Sequence, residues 1–164
     1  FEYDGHALTS ATRGTTDLSN MGEEPAKDET DEVEPAGDSE LATLIALIKQ
    51  TLGETVKDVR TTDRLTDSAV CLVADDGDMD MRLERMLKAH NQLNSDSVRI
   101  LEINPKHDLI KNMAGAATKG GAADDLADLA FLLLDQARII EGEALPDAAA
   151  FSRRMATVMA KAAG

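Results

Sequence analysis

The sequence predicts an α+β fold: a small three-stranded sheet with about five helices segregated to one side of it. Three short apolar stretches, TVKDVRTT (55–62), AVCLV (69–73) and VRILEI (98–103), have the length and composition of strands. Five other stretches place apolar residues at steps of three and four, the spacing of one helical face. Their order along the chain is helix, two strands, helix, strand, helix and two long helices.

The first helix opens at Asp38-Ser39, where either side chain can cap it. It carries Leu41, Leu44, Ile45, Ile48 and Leu52 along one face and closes at Gly53. After two strands, ADDGDMDMRLERMLKAHNQ starts a second helix with Met79, Leu83, Met86 and Leu87 in a stripe. The aspartates ahead of it suit the positive end of the helix dipole. They do not fit a calcium loop: with Gly77 at the sixth position, Leu72 and Leu83 fall where carboxylates are required. After the third strand, Asn104-Pro105 predicts a cap and first turn, with a helix to about Met113 and a flexible stretch from Gly115 to Ala122. Two long helices follow. Leu126, Leu129, Ala130, Leu133, Ala137 and Ile140 form the seam of one, with Leu134 beside it, and Phe151, Met155, Val158, Met159 and Ala162 form the seam of the other. Gly142 and Pro146 punctuate the break between them. Nothing upstream offers enough spare apolar surface to cover this hairpin, so its expected partner is a second copy, giving a four-helix bundle between subunits. Leu133→Asp or Met155→Asp is then expected to separate the subunits.

The chain of 164 residues has room for one domain and an appendage, and its first residue, Phe1, suggests a piece of something longer. Residues 1–20 read as the end of a preceding domain. Residues 21–38 form an acidic linker, and 39–164 the main domain. The net charge is −14; residues 23 to 40 supply −8 of it, nine acids against Lys27, among prolines and few apolar groups. Neither that balance nor any basic, aromatic patch suits nucleic acid. A single cysteine, Cys71, fits a reducing compartment, and no run approaches the ~18 apolar residues of a membrane span. A cytoplasmic protein without membrane contact is expected.

Phosphate-loop, dinucleotide, nucleophile-elbow, zincin and paired-cysteine motifs are all missing, so no catalytic or metal-ligating residue is assigned. An enzyme seated on the DDGDMD acids is the weakest reading, and binding or assembly the strongest. The Met-bearing helix stays open between two roles. Its stripe could pack on the sheet as core, or stand exposed for variable apolar partners, which flexible methionine suits.

Three strings bear on that choice: RLTDSAVCLVADDGDM (64–79), ILEINPKHDLIKNM (100–113) and LLLDQARIIEG (132–142). With P-x-x-x-F-x-R-R-M after them, they resemble the C-terminal domain of the heat-shock protein 90 chaperones of the bacterial HtpG type, over about residues 39–162. Residues 1–18 are more loosely similar to the end of that family's middle domain, and the acidic stretch to its charged linker. The resemblance implies a homodimer joined by the last two helices of each subunit. It implies a parent chaperone of the stress response that binds ATP and Mg in an N-terminal domain outside this sequence, with no cofactor here. It also implies that the stripe matching Met79, Leu83, Met86 and Leu87 contacts unfolded or partly folded client proteins. Two departures stand out: Asp108 where many relatives have Pro, and Ser152 in place of an apolar residue. The chain ends MAKAAG, so tetratricopeptide co-chaperones that read an M-E-E-V-D tail are not expected partners. A stand-alone dimeric scaffold without clients is the alternative.

Overall fold

The computed structural model describes residues 2–3, 6–7, 36–75, 81–90 and 98–164. Two short strands, β1 (Glu2–Tyr3) and β2 (His6–Ala7), pair antiparallel with Tyr3 opposite His6. The main body follows as α1 (Asp38–Leu52), a 3-10 turn (Gly53–Thr55), β3 (Asp58–Thr61), β4 (Val70–Val73), α2 (Met81–Ala89) and β5 (Ile100–Ile103). It ends with α3 (Asp108–Thr118), α4 (Ala123–Ile140) and α5 (Ala148–Ala163). The α+β class and the element order are those the periodicity predicts.

The sheet runs β3-β5-β4, with β5 parallel to β3 and antiparallel to β4. Side chains alternate across a sheet, so each register row divides the strands into two faces. Val59, Leu101, Leu72, Ile103 and Val70 belong to one face and enter the core. There they meet Leu41, Leu44, Ile48 and Leu52 of α1, Ile110, Met113 and Ala114 of α3, and the inner side of α4. Arg60, Glu102 and Cys71 share a row on the other face.

Several element ends differ from expectation for local reasons. Ala36 is buried, and its N–H donates to the Pro105 carbonyl at 3.1 Å, so the main body begins ahead of residue 39. Residues 21–35 of the expected linker lie outside the described residues. Gly37, not Asp38 or Ser39, occupies the cap of α1, while Gly53 closes it with φ 52°, a conformation glycine adopts at little cost. Helix α3 starts later than expected because Asn104 is used elsewhere. Its amide donates to the carbonyls of Leu65 and Ser68, both at 3.2 Å, and its oxygen accepts from the Lys106 N–H. His107 takes over as cap, its Nδ1 accepting from the Leu109 N–H at 3.1 Å. The same helix runs through Gly115 to Thr118, in place of the expected flexible stretch. Packing of Ile110, Met113 and Ala114 outweighs the ~1 kcal/mol cost of a helical glycine. Pro146 precedes α5 instead of entering its first turn; Asp147 caps it by accepting from the Ala150 N–H at 2.8 Å.

Candidate functional site

Helix α4 packs against the sheet and α1, then turns at Gly142, whose φ of 72° closes the end of the helix. The Gly142 N–H donates to Ile139 and the Glu143 N–H to Arg138. Helix α5 then folds back along α4. Polar hooks hold it there: Arg154 reaches Asp128 at 3.4 Å and sits over the Phe131 ring at 4.3 Å, and Lys161 pairs with Asp125. None of the sixteen residues of α5 is buried. Phe151 and Val158 are half-covered toward α4, whereas Met155 and Met159 are exposed, Met159 to 62%. Ser152 falls on the same outward stripe as those two methionines, because steps of three and four keep one helical face.

The seam expected on α4 needs correction. Leu126, Ala130, Leu133, Leu134 and Ala137 are all buried inside the protomer, against α1 and the sheet. They have almost no surface left to offer a second subunit. Upstream elements, expected to have no apolar surface to spare, cover them: α1 and β4 do so. Leu129 is partly buried against the same core, and Ile140 is exposed. Ile139 is equally exposed. The outward apolar surface of the hairpin is therefore Ile139, Ile140, Met155 and Met159, edged by Phe151 and Val158.

Helix α2 is amphipathic in the reverse sense. Leu83 and Met86 are 43% and 55% exposed, Leu87 is half-buried, and Met79 lies outside the described residues. Among its described side chains the buried one is a carboxylate: Glu84 is 1% exposed and bonded to Arg99, itself 7% exposed. Leu83 and Met86 are thus not core residues of this chain. Sequence periodicity missed Glu84 because an acid between arginines reads as a solvated face. Arg99, which precedes β5, gave no signal at all.

Across the outer sheet face, Glu102 is 2% exposed and bracketed by two cations. Arg60 Nε donates to it at 2.9 Å, and Arg64 Nη2 binds its other oxygen. The Cys71 thiol, one strand away, points at the same carboxylate at 3.7 Å. Burial, then the negative charge of Glu102, pushes the thiol up to about 12, so it is protonated and unreactive at neutral pH. This row is an ion cluster on the outer face of the sheet. It has no activated nucleophile.

Among the described residues, no group of three or more His, Cys, Asp or Glu could hold a metal ion. Most of the DDGDMD acids lie outside the described residues, and Asp75 pairs with Lys57 at 2.8 Å. No described helix is long and apolar enough to cross a membrane.

The geometry defines an α+β domain whose exposed large apolar residues, among the described ones, lie on α2, on the end of α4 and on α5, with Val98 ahead of β5. Comparison with known proteins agrees with the family that the sequence resembles. The family model described as Hsp90 protein matches residues 1–164. A protein of Paramagnetospirillum magneticum named chaperone protein HtpG is 55% identical over 153 residues, 93% of this chain and 24% of that relative. HtpG chaperones of Roseobacter denitrificans and Rhodospirillum rubrum are 49% and 46% identical over 160 residues each, 96% and 94% of this chain and 25% of each relative. The chain belongs to the Hsp90 family. It spans about a quarter of the length of the curated relatives it matches.

Proposed function

We propose that this region is the C-terminal dimerisation and client-contact domain of an ATP-dependent molecular chaperone, acting in protein folding under stress. The observation that carries the reading is that α5, sixteen residues long, has no fully buried residue within its own chain yet presents Met155 and Met159 in a row. An isolated surface helix of that length owes its stability to tertiary packing more than to propensity. A second copy supplies that packing most simply, with Ile139 and Ile140 meeting the partner's α5 across a two-fold axis. In this reading residues 1–20 end a middle domain and 21–35 connect it to this one. ATP and Mg act in an N-terminal domain of the parent, which is the ATPase, while this region binds no cofactor and catalyses nothing. The protein works in the cytoplasm, away from membranes and nucleic acid.

Client contact falls to α2, whose Leu83, Met86 and Leu87 extend the stripe begun by Met79. A helix that buries a carboxylate and exposes its apolar face has its stabilising partner elsewhere. That inversion favours the chaperone over a dimeric scaffold without clients. The test is suppression of aggregation of a chemically denatured model client. Met79→Asp with Met86→Asp should leave the dimer and its melting temperature intact and cut suppression at least threefold. Full suppression by a folded, dimeric double variant would leave only the scaffold.

A further inference from the structure

Helix α2 has two ways to lie on the body, and hydrophobic burial favours the one it does not use. Residues 84 and 86 fall on nearly opposite sides of a helix of 3.6 residues per turn, so Glu84 turned inward leaves Met86 outward. The opposite roll would bury Leu83 and Met86, now 43% and 55% exposed, and return the carboxylate to water. Room for it exists. A cavity of about 640 Å³ opens beside Glu84, with apolar walls from Leu72, Val98 and Leu134. Apolar burial and carboxylate solvation both act toward that roll, so something holds α2 against it.

Arg99 supplies the hold. It is 7% exposed, and one terminal nitrogen binds Glu84. Glu143 of the α4–α5 turn stands 3.7 Å from that same nitrogen. Arg138, in the same cavity lining, is engaged instead by Asp135 at 3.0 Å. The pair is badly built for stability alone. Arg99 Nε and Nη1 are buried and have no hydrogen-bond partner among the described residues, whereas buried donors are almost always satisfied. A buried ion pair adds little net stability even when complete. Its effect here is directional: with the cation fixed inside, the carboxylate is stable there, and the apolar stripe is turned out.

We propose that Arg99 and Glu84 are positioning residues, whose pairing sets the roll of α2 and keeps the Leu83 and Met86 face outward. That this face meets clients rests on the reading above; the roll itself rests on the geometry of the pair and the cavity.

The test puts a reporter thiol on the stripe, Met86→Cys, in the full 164-residue chain and follows its labelling by iodoacetamide at pH 8 under native conditions. The chain's own thiol, Cys71, is pushed up to about 12 by burial and Glu102 and stays silent. Adding Arg99→Leu leaves the Glu84 carboxylate buried without its cation, with Glu143 facing the same place. Helix α2 should then roll the carboxylate to water, carry the stripe into the cavity and slow labelling at least tenfold. Glu84→Leu with Arg99→Leu leaves no buried ion unpaired. It should keep the melting temperature at or above that of the reporter chain and still slow labelling at least tenfold, because Leu83 and Leu87 with the reporter outweigh one new leucine. Arg99→Lys keeps the cation and should hold the rate within twofold. Labelling of the folded double variant that is unchanged or faster overturns the proposal, as does a double variant that melts well below the reporter chain, since the pair would then carry stability and not direction. Labelling slowed as much by Arg99→Lys as by Arg99→Leu overturns it too. With Met86 in place, Arg99→Leu should cut client suppression at least threefold. Slowed labelling with full suppression would sink the client-contact reading and leave the positioning role standing.

Discussion

Glu102→Gln isolates the ion cluster on the outer face of the sheet. Glu102 sits on the central strand at 2% exposure, with Arg60 Nε at 2.9 Å on one oxygen and Arg64 on the other. Gln keeps the shape and one acceptor oxygen, but removes the charge that neutralises two guanidinium groups. Breaking a buried pair by deleting one partner costs ~3–5 kcal/mol, chiefly from the ion left behind. Here the arginines left behind are not fully buried: their side chains are 34% and 20% exposed, so water recovers part of the loss. The expected destabilisation is therefore ~2–4 kcal/mol, a large share of the ~5–15 kcal/mol that holds a typical domain. Urea unfolding followed by circular dichroism at fixed protein concentration measures it, with the midpoint falling and the slope unchanged. A loss below ~1 kcal/mol would refute the reasoning, because it would make the carboxylate no better than an exposed surface partner.

Met159→Asp should leave the protomer's fold within ~0.5 kcal/mol by thermal melting, since the side chain is already 62% exposed. A dimer carries the change twice, and at ~1.5–3 kcal/mol per methionine its dissociation constant by sedimentation should rise at least a hundredfold. Leu133→Ala should do the reverse, costing ~2–5 kcal/mol of unfolding free energy because Leu133 is 1% exposed in the protomer's own core. The Cys71 thiol should resist iodoacetamide at pH 8 in the folded chain and react readily in urea. Its folded pKa, about 12, is raised above the ordinary thiol value of 9.0, so its contribution to stability is complete below pH 9 and is lost as pH rises toward 12. Rapid alkylation of the native chain would contradict the burial of that thiol.

Much of this architecture is legible in the sequence, because it depends on local signals. The seams of α1 and α4, the short β-rich runs and the punctuation at Gly53 and Gly142 all obey rules of spacing and backbone freedom. What spacing cannot supply is the partner of each face. The α4 seam reads the same whether it meets a second subunit or β4 of its own chain, and Leu126, Ala130 and Leu133 turn inward. The exposed stripe of α2 is likewise ambiguous from periodicity alone. The deciding residue is Glu84, buried by an ion pair with Arg99 fifteen positions later. Long-range polar pairing of that kind has no local signature. Asn104 shows the same limit, since its amide clamps the 65–68 loop and leaves the α3 cap to His107.

The dimer carried on α5 is the central claim, and the mass of the chain in solution tests it most directly. Sedimentation equilibrium at micromolar concentration should give twice the 17.5 kDa of one chain. A mass of 17.5 kDa across that range, with the fold intact, would contradict it.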